Sequence, residues 1–92
     1  MIKTKSQRKS ILKEKLKEPF ALVIHNDDYN SFDHVINCLV SICGHTHQQA
    51  SQCANIIHYV GKCDVKRGDY ESLIKFKDKL IHKNLSCTVE PL

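Results

Sequence analysis

From Phe20 onward the apolar residues change their spacing from one segment to the next, and that alternation limits what the chain can fold into. Phe20 to Ile24 is a short apolar run, the length of a strand. Phe32, Val35, Ile36, Leu39, Val40 and Cys43 then recur at helical spacing, with Asn30 or Ser31 available as N-cap and Gly44 as the stop. Thr46 and Gln49 have capping-box spacing and open a second helix with Ala50, Cys53, Ala54, Ile57 and Val60 on one face, ending at Gly61. Lys62 to Arg67 alternates, with Cys63 and Val65 on one side of a half-buried strand. Gly68 turns the chain and Asp69 caps a third helix, whose stripe is Tyr70, Leu73, Ile74, Lys77, Leu80 and Ile81; Asn84 suits a left-handed stop. Leu85, Cys87 and Val89 alternate with Ser86, Thr88 and Glu90 in a last strand. The order β-α-α-β-α-β predicts an α+β sandwich, a three-stranded antiparallel sheet packed on three helices.

Charge divides the chain at Pro19. Residues 1–18 carry seven Lys or Arg against two Glu, whereas residues 19–92 carry seven against eight Asp or Glu. The basic character therefore belongs to an N-terminal segment, expected as a flexible arm, and not to the domain of residues 19–92. A near-neutral domain argues against nucleic-acid binding. No apolar run reaches the ~18 residues of a membrane span, and the charged N-terminus does not read as a signal peptide, so a cytoplasmic protein is expected. The five cysteines are odd in number and form no CxxC, which predicts reduced thiols. His45/His47 and Cys38/Cys43 lack the spacing of a closed zinc site, so neither metal nor cofactor is expected. There is no glycine-rich phosphate loop and no nucleophile–base pair in recognisable context, and the chain does not read as an enzyme.

The seam "HNDDYNSF", between the first strand and the first helix, has no glycine or proline to turn the chain. If the backbone stays extended through residue 28, Asn26 and Asp28 share one side and Asp27 faces the other. An amide oxygen beside a carboxylate suits an ammonium group with several N–H donors and suits a phosphate badly. His58 lies near the end of the second helix, on the surface it shares with Ala54 and Ile57. An amine-accepting rim beside a small apolar hole follows, fit for a free amino terminus. The same residues have plainer readings: adjacent aspartates compensate a helix dipole, a lone histidine is commonly structural, and Phe32, Val35 and Ile57 suit a core. Spacing alone does not choose between them.

The segments "HNDDYNSFDHVI", "IIHYVGKC" and "LSCTVE" together resemble the ClpS family, adaptor proteins of the bacterial Clp protease. The resemblance covers about residues 20–90. It implies the same β-α-α-β-α-β fold and a role in recognising N-degrons, substrates whose first residue is Leu, Phe, Tyr or Trp, for delivery to a Clp AAA+ unfoldase of the ClpA or ClpC kind. It implies that Asn26, Asp28 and His58, with Asp27 assisting, bind the substrate's α-amino group. It implies a hydrophobic pocket lined by Asn30, Phe32, Val35, Ala54, Ile57 and Leu85. Residues 1–18 match the family's unfoldase-engaging arm in placement though not in sequence, and a bacterial, cytoplasmic monomer is expected. Two pocket positions that are commonly Met in the family are Phe32 and Ala54 here, and the turn before the third helix is shorter. The rival readings are an assembly domain resembling the C-terminal domain of the ribosomal stalk protein, which has a related fold, and a metal-binding domain.

Overall fold

The computed structural model describes residues 19–92; the segment 1–18, expected as an arm, lies outside the described residues. The elements are β1 (Phe20–His25), α1 (Phe32–Ser41), α2 (His47–Val60), β2 (Lys62–Gly68), α3 (Tyr70–His82) and β3 (Ser86–Pro91), in the order expected. The strands form one antiparallel sheet in the order β2-β1-β3, with Ile24 opposite Cys63 on one side and Cys87 on the other. Because β1 is central, its apolar run is buried on both faces, and Ala21, Leu22, Val23 and Ile24 are each at most 3% exposed.

Leu22 and Ile24 face the helices and join one core with Leu39 of α1, Ala50 and Ile57 of α2, and Leu73 and Leu80 of α3. A bulge in β2 adjusts that packing: Leu22 pairs with Lys66 but Val23 with Asp64, so Val65 is the extra residue. Val65 enters the core, while Lys66 places its ammonium 4.8 Å from the centre of the Phe76 ring.

Local chemistry sets the helix ends. Ser31 is the N-cap of α1, its hydroxyl accepting from His34 N–H at 3.1 Å, which leaves Asn30 for another task. The Thr46–Gln49 capping box is complete, with bonds of 3.0 and 3.1 Å. Gly61 ends α2 at φ 104°, and Asn84 takes a left-handed conformation at φ 66° after α3. Four apolar stripe residues are exposed: Phe32, Val40, Val60 and Ile81, at 40, 40, 73 and 47%. Each helix meets the rest of the fold along a narrower arc than its apolar spacing spans, and Val60 stands in the last turn, where the chain turns away from α2 towards β2.

Leu39 is fully buried, so Leu39→Ala should destabilise the fold by about 2–5 kcal/mol through the lost apolar contact and the cavity left behind. Val60→Ser should change stability by no more than about 0.5 kcal/mol. Urea unfolding of the two variants, with unchanged m-values, checks the contrast.

Candidate functional site

The strand ends at His25, and the backbone hydrogen bond from Asn26 N–H to Gly61 O (2.8 Å) carries the pairing with the β2 side one residue further. The chain then bends at residues 28–30 rather than running extended through Asp28, contrary to the simplest expectation. Asp27 makes the bend. Its Oδ1 accepts the backbone N–H groups of Tyr29 (3.0 Å) and Asn30 (2.9 Å), and its Oδ2 accepts the side-chain amide of Asn30 (2.8 Å). An Asx turn of this kind takes the place of the missing glycine or proline.

Burial works to raise the pKa of the Asp27 carboxyl. The hydrogen bonds from Asn30 N–H, the Asn30 amide and Tyr29 N–H, with a further one from Ser86, outweigh it and hold the group below the ordinary carboxylate range. Asp27 is therefore an ionised brace whose oxygens are already committed. Asn30 has a double role: its amide also donates to the backbone carbonyl of Asn84 at 2.8 Å, tying the loop to the turn between α3 and β3. His34 reinforces the tie by donating from Nε2 to Lys83 O at 2.9 Å.

With Asp27 so engaged, the side chains of Asn26, Asp28 and His58 have no hydrogen-bond partner among the described residues. They stand on the rim of a cavity of about 410 Å³ between the loop, α1 and α2, lined by Asn26, Asp27, Asp28, Asn30, Phe32, Val35, Ala54, Ile57 and His58. The floor is apolar: Val35, Ala54 and Ile57 are core residues that turn part of their surface to the hollow. Phe32, 40% exposed, stands at the mouth with its ring edge to the His58 imidazole at 6.1 Å, and Tyr59 meets the same imidazole edgewise at 4.9 Å. The two aromatic contacts pack against the imidazole of His58, which also lines the cavity.

Every residue expected at the site except Leu85 lies around this cavity. Leu85 is 4% exposed and belongs to the core. Sequence reasoning missed Asn84 and His34, which support the loop across separations of 54 and 49 residues. The only local hint was the aptitude of Asn84 for a left-handed turn. An amide, a carboxylate and an imidazole above a hollow floored by Val35, Ala54 and Ile57 match a cationic head with an apolar side group. Among the described residues no group of three or more His, Cys, Asp or Glu side chains is placed to hold a metal ion.

Asp27→Asn should cost about 1–2 kcal/mol of stability at neutral pH, since a neutral amide replaces a charged acceptor of several hydrogen bonds. The folded-state pKa of Asp27 lies below the unfolded one, so its contribution is present above the ordinary carboxylate range and is lost as pH falls through the lowered folded value. The variant should accordingly lose less stability than the native chain between about pH 5 and pH 2. Urea midpoints measured across that range check both statements.

Comparison with known proteins agrees with this architecture. The family described as ATP-dependent Clp protease adaptor protein ClpS matches residues 15–92. The ATP-dependent Clp protease adapter protein ClpS of Thermosynechococcus vestitus is 32% identical over 74 residues, 79% of this chain and 77% of that protein. The protein of the same name from Nostoc sp. is 34% identical over 74 residues, 79% of this chain and 74% of that one. In Oleidesulfovibrio alaskensis the figure is 35% over 68 residues, 70% of this chain and 65% of that protein. The structure of Agrobacterium tumefaciens ClpS2 bound to L-phenylalaninamide superposes with a TM-score of 0.71 at 18% identity, covering 83% of this chain and 99% of that one, which establishes a shared fold. The chain belongs to the ClpS family of ATP-dependent Clp protease adaptor proteins.

Proposed function

We propose that the cavity takes the free amino terminus of a polypeptide whose first side chain is a large hydrophobe (Leu, Phe, Tyr or Trp). The chain passes such substrates to a Clp AAA+ unfoldase without chemistry of its own. The observation that carries this reading is the set of three unengaged polar side chains, Asn26, Asp28 and His58, around an apolar hollow. Asp28 meets the charge of the ammonium, and the Asn26 oxygen and the imidazole accept its N–H groups. Val35, Ala54, Ile57 and Phe32 enclose the side chain. Phenylalaninamide, the molecule bound to the Agrobacterium ClpS2, has this chemistry, a free α-amine beside a large aromatic group.

Magnitudes fit a delivery factor that must release its cargo. Burying a Leu or Phe side chain contributes roughly 1.5–3 kcal/mol, and hydrogen bonds to a charged ammonium add roughly 1.5–3 kcal/mol each. Once association costs are subtracted, affinity falls near the micromolar range. Selectivity for a chain start follows because an internal residue offers a carbonyl where the rim wants donors.

The partner on this reading is the N-terminal domain of a ClpA- or ClpC-like unfoldase, engaged by a monomer through residues 1–18. A chain lacking those residues should bind peptide as the full chain does and fail to accelerate degradation of a reporter substrate by the unfoldase–peptidase pair. Lost peptide affinity would instead make residues 1–18 part of the site.

The decisive experiment is calorimetric titration with a peptide beginning in Phe or Leu, free and N-acetylated. Acetylation removes the charge and should weaken binding at least about tenfold; equal affinity would remove the basis of the proposal. Asp28→Ala should weaken all such peptides by a similar factor, because the carboxylate meets the terminus and not the side chain. Ala54→Met should reduce the hollow and weaken peptides starting with Phe or Trp more than those starting with Leu. An unchanged rank order would place Ala54 outside the side-chain pocket.

A further inference from the structure

Next to the cavity wall, where α2 packs on β2, three groups meet that the site does not use: His45 before α2, Cys53 within it and Cys63 on β2. His45 Nε2 lies 2.7 Å from the carbonyl oxygen of Val65, the bulge residue of β2. A carbonyl only accepts, so Nε2 carries the proton and Nδ1 presents its lone pair. That lone pair faces Cys53 Sγ at 4.0 Å. Cys53 and Cys63 pack as neighbours against the same core, and the Cys63 thiol donates to the Asp64 carbonyl at 3.4 Å. Both thiols are half-buried and unpaired in a disulfide, whereas Cys38, Cys43 and Cys87 are buried.

The geometry points to a peroxide-sensitive thiol pair, in which Cys53 is the nucleophile, His45 its base and Cys63 the resolving thiol. Proton transfer from Cys53 to Nδ1 creates a thiolate beside an imidazolium, and the Val65 carbonyl stabilises the cation through the bond it already accepts. The thiolate attacks one oxygen of a hydroperoxide. The O–O bond breaks, the sulfur is oxidised to a sulfenic acid, and the departing alkoxide takes the proton held by His45 to leave as an alcohol. The Cys63 sulfur then attacks the Cys53 sulfur, the S–O bond breaks, and hydroxide leaves with the Cys63 proton as water. Two thiols and one hydroperoxide thus give one disulfide, one alcohol and one water.

The assignment of roles follows from the surroundings. Cys53 has the imidazole beside it, whereas the Cys63 thiol donates its proton to the Asp64 carbonyl and is pushed up by burial, so Cys53 is the thiol that initiates. Burial pushes the Cys43 thiol up to about 11 and raises Cys38 and Cys87, which sets those three apart from the reaction. The disulfide would close the chain around Ala54, Ile57, His58 and Gly61, the α2 wall of the cavity and the turn whose carbonyl anchors Asn26. This inference is independent of what the cavity binds.

The test treats the purified full chain with one equivalent of hydrogen peroxide, alkylates the remaining thiols and maps them by mass spectrometry. The expected result is a Cys53–Cys63 disulfide with Cys38, Cys43 and Cys87 still alkylated. Cys63→Ser should stop at a sulfenic acid on Cys53, trapped by dimedone, and Cys53→Ser should leave Cys63 reduced. His45→Gln should slow thiol loss at least tenfold. Oxidation spread evenly over the five cysteines, or loss of the Cys63 thiol at the native rate in Cys53→Ser, would overturn the proposal. A folded His45→Gln chain reacting at the native rate would do the same. Should that variant misfold, the nearly isosteric Cys53→Ser and Cys63→Ser chains decide the matter by themselves.

Discussion

One carboxylate holds the site in shape. Between β1 and α1 the backbone must reverse from sheet to helix within a few residues, and neither glycine nor proline is present to ease the bend. Asp27 does it by gathering two backbone N–H groups and one side-chain amide onto its two oxygens. The Asn30 amide then ties the braced loop to Asn84 O, a carbonyl brought into position by the left-handed turn after α3. The outward residues of the loop, Asn26 and Asp28, leave their side-chain polar groups without a partner among the described residues. The two aspartates of the seam are chemically alike but differently employed: one is spent on structure and the other remains available.

The cavity draws on the same core that stabilises the domain. Val35, Ala54 and Ile57 are each at most 9% exposed, yet each also lines the hollow. A ligand's apolar side group would extend an already formed hydrophobic layer, and little of the protein would need to be ordered at binding. The central position of β1 adds rigidity beneath it, since a strand paired on both edges and buried on both faces has few ways to move.

The bulge in β2 links two regions. By turning Val65 into the core it also presents the Val65 carbonyl to His45, which fixes the tautomer of a histidine beside Cys53. One irregularity of register thus determines the chemistry of a group that lies outside the cavity but contacts the helix forming its wall.

What was legible in the residues themselves was local. Period and end signals set the order of six elements, because side-chain spacing and capping chemistry act over a few positions. The Thr46–Gln49 box, Gly61 and Asn84 sit where their chemistry says they should. The set of residues about the cavity was legible largely through resemblance, since nothing in spacing separates Asp28 from a dipole-compensating carboxylate or Ile57 from plain core. Tertiary structure alone decided which strand is central, that Leu85 goes to the core, that Val40, Val60 and Ile81 stay at the surface, and that Asp27 is the brace. It also joined Asn30 to Asn84 and His34 to Lys83, partners some fifty positions apart in the chain. The reason is physical: burial and hydrogen-bond partners depend on what other elements bring to a residue, and a one-dimensional pattern carries the demand for a partner without saying which residue meets it.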